Sequence, residues 1–347
     1  MAERTDRRHF LNSALLGTAG AGALFSLEEK ILGAAIDGGK TTPGVAGKPA
    51  ATSAVPAYSG EPLPRGRLGS LEISRLIIGG NLIGGFAHSR DLLYVSSLLR
   101  AYNTEPKIME TLDLAERSGI TMAQVNPVCF ASLEKYRKEH GGKLQVMVCI
   151  GPDPDASKMR EQIKDLVGRG VDALYTHGQV TDRLTRAGDI KTLAVCMDLI
   201  KKAGVPAGIG SHSLEVPIAC EKLGIDPEFY VKTFHSDAYW SATPKGHRHE
   251  WCWEDAHSGD HDDYNDNMFC LDPERTEAFM KSVAKPWVAF KVMAAGAIRP
   301  EFAFNFAYKR GADFVIAGMF DFQVVADVEH AFKALSRARV RERPWRA

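Results

Sequence analysis

Eight short apolar runs, each followed by a longer segment of mixed polarity, set the rhythm of the chain from residue 75 to residue 319. They are RLIIGG (75–80), ITMAQV (120–125), LQVMVCI (144–150), DALYTH (172–177), PAGIGSH (206–212), FYVKTFH (229–235), PWVAFKVM (286–293) and DFVIAGM (313–319). Runs of this length without strict alternation fit strands buried on both faces of a parallel sheet. The segments between them read as amphipathic helices. In EPKIMETLDLAERSG (105–119), Ile108, Leu112 and Ala115 fall on one face. Segments 157–170, 189–204, 272–285 and 300–311 have the same character, and many close on Lys or Arg followed by Gly, as helix C-termini tend to. Eight strand–helix alternations predict an α/β fold, a closed (β/α)8 TIM barrel. A doubly wound open sheet needs fewer strands, and no GxGxxG follows the first run.

The flanks of this pattern predict the rest of the organisation. GRLGSLEISRLIIGG (66–80) reads as an N-terminal β-hairpin turning at Gly69-Ser70 and leading into the first strand. The stretch 81–104, and a long loop insertion after strand six (236–271), are expected as loops on the upper face. Residues 36–64 are rich in Gly, Pro, Ala, Ser and Thr and predict a disordered linker. The barrel then occupies 65–340. Residues 1–35 read as a signal segment: Arg7-Arg8 precede Phe10-Leu11 and a mildly apolar, Gly/Ala-softened stretch. This resembles a twin-arginine export signal, although Asp6 and Asn12 depart from the commoner pattern. It predicts a periplasmic or exported protein that folds before export. Small residues around Ala34 and Ala35 suit cleavage, and the segment is the only expected route to membrane retention.

Composition narrows the partners. Among 347 residues, Lys plus Arg and Asp plus Glu both number 43, which gives no electrostatic case for nucleic acid or a polybasic membrane contact. Beyond the N-terminal segment, no apolar run is long enough to span a bilayer. The six cysteines are scattered without a CxxC and read as buried thiols. A small-molecule substrate is the expected partner.

In a barrel of this kind the chemistry sits where strands meet the following loops. Those positions carry Asn81, Gln124 or Asn126, Cys149 with Asp153, His177, His212, His235, Lys291, and Gly318 followed by Asp321. Three successive runs end in His. Neighbouring barrel strands lie about 4.8 Å apart, so His177, His212 and His235 are placed to share one divalent metal or bind one polar substrate. Asp182 and Glu215 offer carboxylates nearby, or else are helix-start acids favoured by the dipole. Lys291, flanked by Phe290 and Val292, is a candidate acid/base group or Schiff-base former if it points inward, and an ion-paired structural residue otherwise. Gly296 and Gly318 sit in the turns after strands seven and eight, where many barrels hold a phosphate, although an inward Asp321 would repel it. The insertion carries His247, His249, His257 and His261 in no structural-zinc spacing and reads as a polar lid. Trp251 and Trp253 in it are candidates to stack on a sugar face or to anchor the lid.

Residues 66–336, from RLGSLEISRLIIGG to GADFVIAGMFDFQVVADVEHAFKAL, resemble the aldo-keto-reductase-like barrels. NLIGGFAHSRDLLYVSSLLRAYNT and FKVMAAGAIRPEFAF further resemble a group of exported barrel proteins from environmental bacteria, a likeness that implies fold and export but no reaction. The reductase family uses an Asp, Tyr, Lys and His tetrad. This chain has Gln124 at the end of strand two, Cys129 near the Tyr position and no Lys in QVMVCIG (145–151), so only His177 matches. The resemblance therefore implies the fold more than the reaction.

These readings together predict an exported enzyme acting on a small polar carbonyl or carbohydrate-like compound by metal-assisted isomerisation, epimerisation or elimination. Lys291, His177 and Asp182 are its expected catalytic residues, with His177, His212 and His235 as metal ligands. Asn81, Asn126, Glu215, Trp251 and Trp253 are expected to bind substrate. The alternatives are an NAD(P)-dependent oxidoreductase of the aldo-keto reductase type with a non-standard site, using NADP, and a non-catalytic sugar-binding barrel.

Overall fold

Each of the eight apolar runs contributes one strand to a closed parallel barrel, in which the strands follow chain order and the last pairs with the first. The computed structural model describes residues 55–90, 92, 94–253 and 267–347. The expected signal segment, most of the expected linker, and His257 and His261 of the insertion lie outside the described residues. Ahead of the barrel, β1 (Arg65–Leu68) and β2 (Leu71–Ser74) pair antiparallel about Gly69-Ser70, as the sequence predicts. The barrel strands are β3 (Leu76–Gly79), β4 (Met122–Val125), β5 (Gln145–Ile150), β6 (Ala173–Thr176), β7 (Ala207–Ser211), β8 (Phe229–Thr233), β9 (Trp287–Phe290) and β10 (Phe314–Ala317).

The helices are α1 (Asn81–Gly84), α2 (Val95–Tyr102), α3 (Glu105–Arg117), α4 (Phe130–His140), α5 (Ala156–Gly168), α6 (Gly178–Arg186), α7 (Ile190–Lys202), α8 (Glu215–Leu223), α9 (Pro273–Ser282), α10 (Pro300–Lys309) and α11 (Asp321–Arg337). α1 and α2 stand inside the stretch 81–104, which was expected as loop. In α2 only Ser96 and Leu99 are buried while Tyr94, Leu98 and Tyr102 face out, so its apolar pattern does not mark a single buried stripe. Among the described residues no helix is long and apolar enough to cross a membrane.

The barrel interior follows the two-residue period of its strands. Ile77, Met122, Met147, Tyr175, Val231, Val288, Phe314 and Ile316 share one buried cluster. Leu68 and Ile73 of the hairpin join that cluster, so the hairpin closes the barrel floor. Each fully buried side chain of this size contributes about 1.5–3 kcal/mol. β7, with the sequence AGIGS, supplies almost no bulk. A Cβ at Gly208 would come 2.2 Å from the Phe229 ring, and one at Gly210 would come 2.9 Å from the Tyr175 ring. The glycines of β7 are thus what let two aromatic rings fill the middle of the barrel.

Residues 55–64 form no regular element, yet Leu63 is buried and the Tyr58 N–H donates to Ser118 Oγ, so the end of the predicted linker lies along the barrel. The chain beyond 340 also packs. Arg341 and Arg343 both reach Asp313, at 2.9 and 2.6 Å, while Arg75 donates to the carbonyls of Asp313 and Ala347.

Candidate active site

The strand ends do gather polar side chains, but each plays a different part. β6 delivers His177 as the residue that opens α6, and the first turns of α6 bury Thr181 and Asp182. Thr181 Oγ1 lies 2.8 Å from Thr176 Oγ1 and 2.9 Å from the His177 carbonyl, tying helix to strand. That anchoring carries Asp182 beneath the end of β7. Its carboxylate accepts the backbone N–H groups of His212 and Ser213, both at 3.1 Å, and meets His212 Nδ1 at 2.8 Å. A carboxylate already serving as acceptor to backbone donors puts the ring hydrogen on Nδ1 and leaves Nε2 with its lone pair. Asp182 is thus the partner that orients the His212 ring.

The electrostatics of this pair follow from burial. Asp182 is fully buried, which pushes its carboxyl up to about 7 against the pull of the Ser213 and His212 N–H groups. Burial first, and then the Lys291 charge, hold His212 well below the ordinary imidazole value. The imidazole sits among aromatic rings, with centroids 4.8 Å from Phe269, 5.6 Å from Phe290 and 6.0 Å from Trp253. On its remaining side Gly178 comes so close that a Cβ there would stand 3.1 Å from His212 Cε1.

His235 was expected as a metal ligand with His177 and His212, and the structure corrects this. Its Nδ1 lies 2.9 Å from the Ser236 carbonyl and must donate, while Nε2 accepts the N–H groups of Phe269 and Cys270 at 3.1 and 3.0 Å. Both nitrogens are spent on backbone, so no lone pair is left for a metal. Burial lowers this ring to about 4, which keeps it neutral. His235 is the pin that fastens the returning end of the insertion onto β8. Among the described residues no group of three His, Cys, Asp or Glu side chains is placed to hold a metal ion.

Lys291 is also placed differently from expectation. It follows β9 in a left-handed turn, φ 56°, half-buried, with its ammonium 4.0 Å above the Phe269 ring. A cation–π contact at the rim, not enclosure in the barrel, holds it there.

The substrate-binding candidates divide. Asn126 is buried, its Oδ1 accepting from the Cys149 thiol at 2.9 Å. Beside it Gln124 Nε2 donates to the Tyr175 hydroxyl at 2.8 Å, a polar pair across the barrel mouth. Asn81 opens α1, half-buried, at the end of β3. Glu215 lies on the rim in an ion pair with Arg275. Trp251 and Trp253 pack on one another at 6.2 Å within a small cluster containing Cys252 and Phe269. They anchor the lid, and no open ring face is left on Trp253, which is 9% exposed.

The expected phosphate cradle does not fit either. The Gly296 N–H donates to Met293 O, and a Cβ at Gly318 would meet Leu82 at 3.2 Å, so that glycine serves close packing of α1. At the start of α11 the Phe320 N–H donates to Gln323 Oε1, and Asp321 takes the Phe322 N–H on its own carboxylate. Asp321 turns away from the mouth, toward Tyr102 and Lys107 at 2.6 and 2.9 Å. The N–H groups of Gly296, Phe320 and Phe322 are thus taken up within these turns.

Two residues at the site were missed in the sequence. Lys232 is the penultimate residue of β8, is 1% exposed, and lines a cavity of about 30 Å³ with His212, Glu250, Trp253 and Arg275. A lysine inside a run of the buried-strand type was the available signal. Glu250 was hidden in the polar composition of the insertion; it accepts from Ser213 Oγ, and burial raises its carboxyl.

Comparison with known proteins reaches the fold. Two solved structures resemble the chain, one titled "Putative aldo-keto reductase from Pseudomona aeruginosa" and the other described in the same terms from the same organism. Each is 16% identical, covers 78% of this chain and 95% of its own, and superposes with TM-scores of 0.52 and 0.50. The likeness is one of fold. No protein-family model matches the chain, and no curated protein matches it. The (β/α)8 barrel expected from the sequence is what the structure has, and the likeness leaves the reaction to the site.

Proposed function

We propose that this barrel is an enzyme that moves a proton at a carbonyl or hydroxyl carbon of a small polar compound, with His212 as the acid–base residue. The observation that carries the reading is the buried Asp182–His212 pair at the end of β7, which supports a neutral ring with Nε2 as its reactive atom. On taking a proton, His212 becomes an imidazolium whose Nδ1–H already points at the Asp182 carboxylate. The Lys291 charge makes that imidazolium costly, so the proton returns readily. Isomerisation, epimerisation and elimination next to a carbonyl all use such a step. Asp182 acts through His212 and is a positioning residue.

The second reading is oxidation or reduction of the same class of compound with a nicotinamide, favoured by the likeness of the fold to structures titled as aldo-keto reductases. His177 would stand at the position of that family's His. No step is routed through that cofactor here. Export by the twin-arginine route, carried by Arg7-Arg8, belongs to the same proposal.

The test is turnover of a panel of small hydroxy-carbonyl compounds with and without NADPH. His212→Asn is expected to lower kcat by about 10²–10⁴-fold with little change in KM. Full activity of that variant sinks the acid–base reading. Turnover that requires NADPH transfers the case to the second reading, and binding without turnover points to a sugar-binding barrel.

A further inference from the structure

Lys232 has a place that neither the proton-transfer reading nor the fold explains. On β8 it stands in register with Ser211 of β7 and Ala289 of β9, on the face opposite the barrel interior. Its Nζ donates to the Thr233 carbonyl and to Thr233 Oγ1, both at 2.9 Å. Among the described residues no carboxylate lies within 4.0 Å of it. An ammonium has three N–H groups to satisfy, whereas a neutral amine has two and a lone pair. Thr233 satisfies two. The site thus suits the amine, with its lone pair on the side away from Thr233.

The cavity beside this nitrogen is walled by Trp253, which is nine-tenths buried, and by Glu250, whose carboxyl burial raises. His212 closes another wall. About 30 Å³ accommodates roughly two waters, or a carbonyl group with one carbon beside it.

We propose that Lys232 is a nucleophilic amine that condenses with a small aldehyde or ketone in this cavity. The Nζ lone pair forms a bond to the carbonyl carbon, and the carbon–oxygen π pair moves onto oxygen, which takes a proton from Glu250. The resulting carbinolamine loses a proton from nitrogen and its hydroxyl, protonated in turn, leaves as water. One amine and one carbonyl thus give one Schiff base and one water, with no change of oxidation state. Burial lowers the Lys232 ammonium, consistent with the amine, although Cys270, Glu250 and Asp182 oppose the shift. The proposal deepens the proton-transfer reading, on which it rests for His212 as the base that would serve the adduct.

The test is reductive trapping on the full chain. The protein is incubated with glycolaldehyde and cyanoborohydride, digested, and its modified lysines mapped by mass. Lys232 is expected to be labelled at least about tenfold faster than the exposed Lys333. Glu250→Gln, checked for folding by circular dichroism, is expected to slow labelling at Lys232 by about a hundredfold. Labelling of Lys232 no faster than of Lys333 overturns the proposal, whatever the variants do, and leaves the His212 reading standing. Rapid labelling of Lys232 with unchanged turnover in His212→Asn does the reverse.

Discussion

The floor of the barrel and its mouth both bury charge, and they treat it in opposite ways. At the floor, Asp313 is fully buried and receives Arg341, Arg343 and the backbone N–H groups of Trp287 and Arg346. Arg75 completes the cluster by binding the Asp313 and Ala347 carbonyls and packing 4.0 Å from the Trp345 ring. Opposite charges meet there. At the mouth Asp182 is matched to a neutral imidazole, and behind the end of β8 Lys232 has, among the described residues, no carboxylate in contact. The floor pairs its buried charges, although Arg341 Nε has no partner among the described residues, and the mouth leaves more of its own unpaired, the division expected of a barrel whose stability and chemistry occupy opposite ends.

Removing a partner from the floor is the sharpest way to break that contrast. Asp313→Ala leaves Arg341 and Arg343 buried without a counter-charge and is expected to cost about 3–5 kcal/mol in denaturant unfolding. A cost near zero would mean the floor cluster is not what holds the C-terminal segment. His235 tests whether every histidine at the mouth is reactive. His235→Ala orphans two backbone N–H groups and is expected to cost about 2–3 kcal/mol at neutral pH. The ring's folded value, about 4, lies below its unfolded value of about 6.5, so its contribution is complete above about 6.5. That contribution, about 3 kcal/mol, is lost as the pH falls from about 6.5 to about 4. Asp182, pushed up to about 7, has the opposite sign over an overlapping range, so the measurement is the difference between wild type and variant across pH. A difference that does not shrink on acidification would remove the neutral-pin assignment. Lys232→Met carries the smallest effect and the opposite sign. Replacing an unpaired buried amine by an apolar chain is expected to leave thermal stability unchanged or raise it by about 1 kcal/mol. A loss of several kcal/mol would make Lys232 a structural residue of the floor's kind.

Much of the architecture was legible. Apolar runs without alternation marked all eight strands, and Gly69-Ser70 marked the hairpin turn. The strand-end positions drew attention to the rim, where His177, His212 and Lys291 do stand. What misled was treating three strand-end histidines as equivalent. His212 and His235 differ because one meets a helix carboxylate 30 residues earlier and the other meets backbone 34 and 35 residues later. Sequence spacing carries no trace of either partner.

The chain by itself therefore determined the barrel, through the period and length of its apolar segments, because burial of both strand faces depends on local pattern. It also determined which ionisable groups reach the rim. Only the tertiary structure decided their states: which ring keeps a lone pair, which amine lies under a lid and which carboxylate is shut from water. Those are matters of solvent exclusion and of donors brought together across distant strands, and no stretch of sequence contains them.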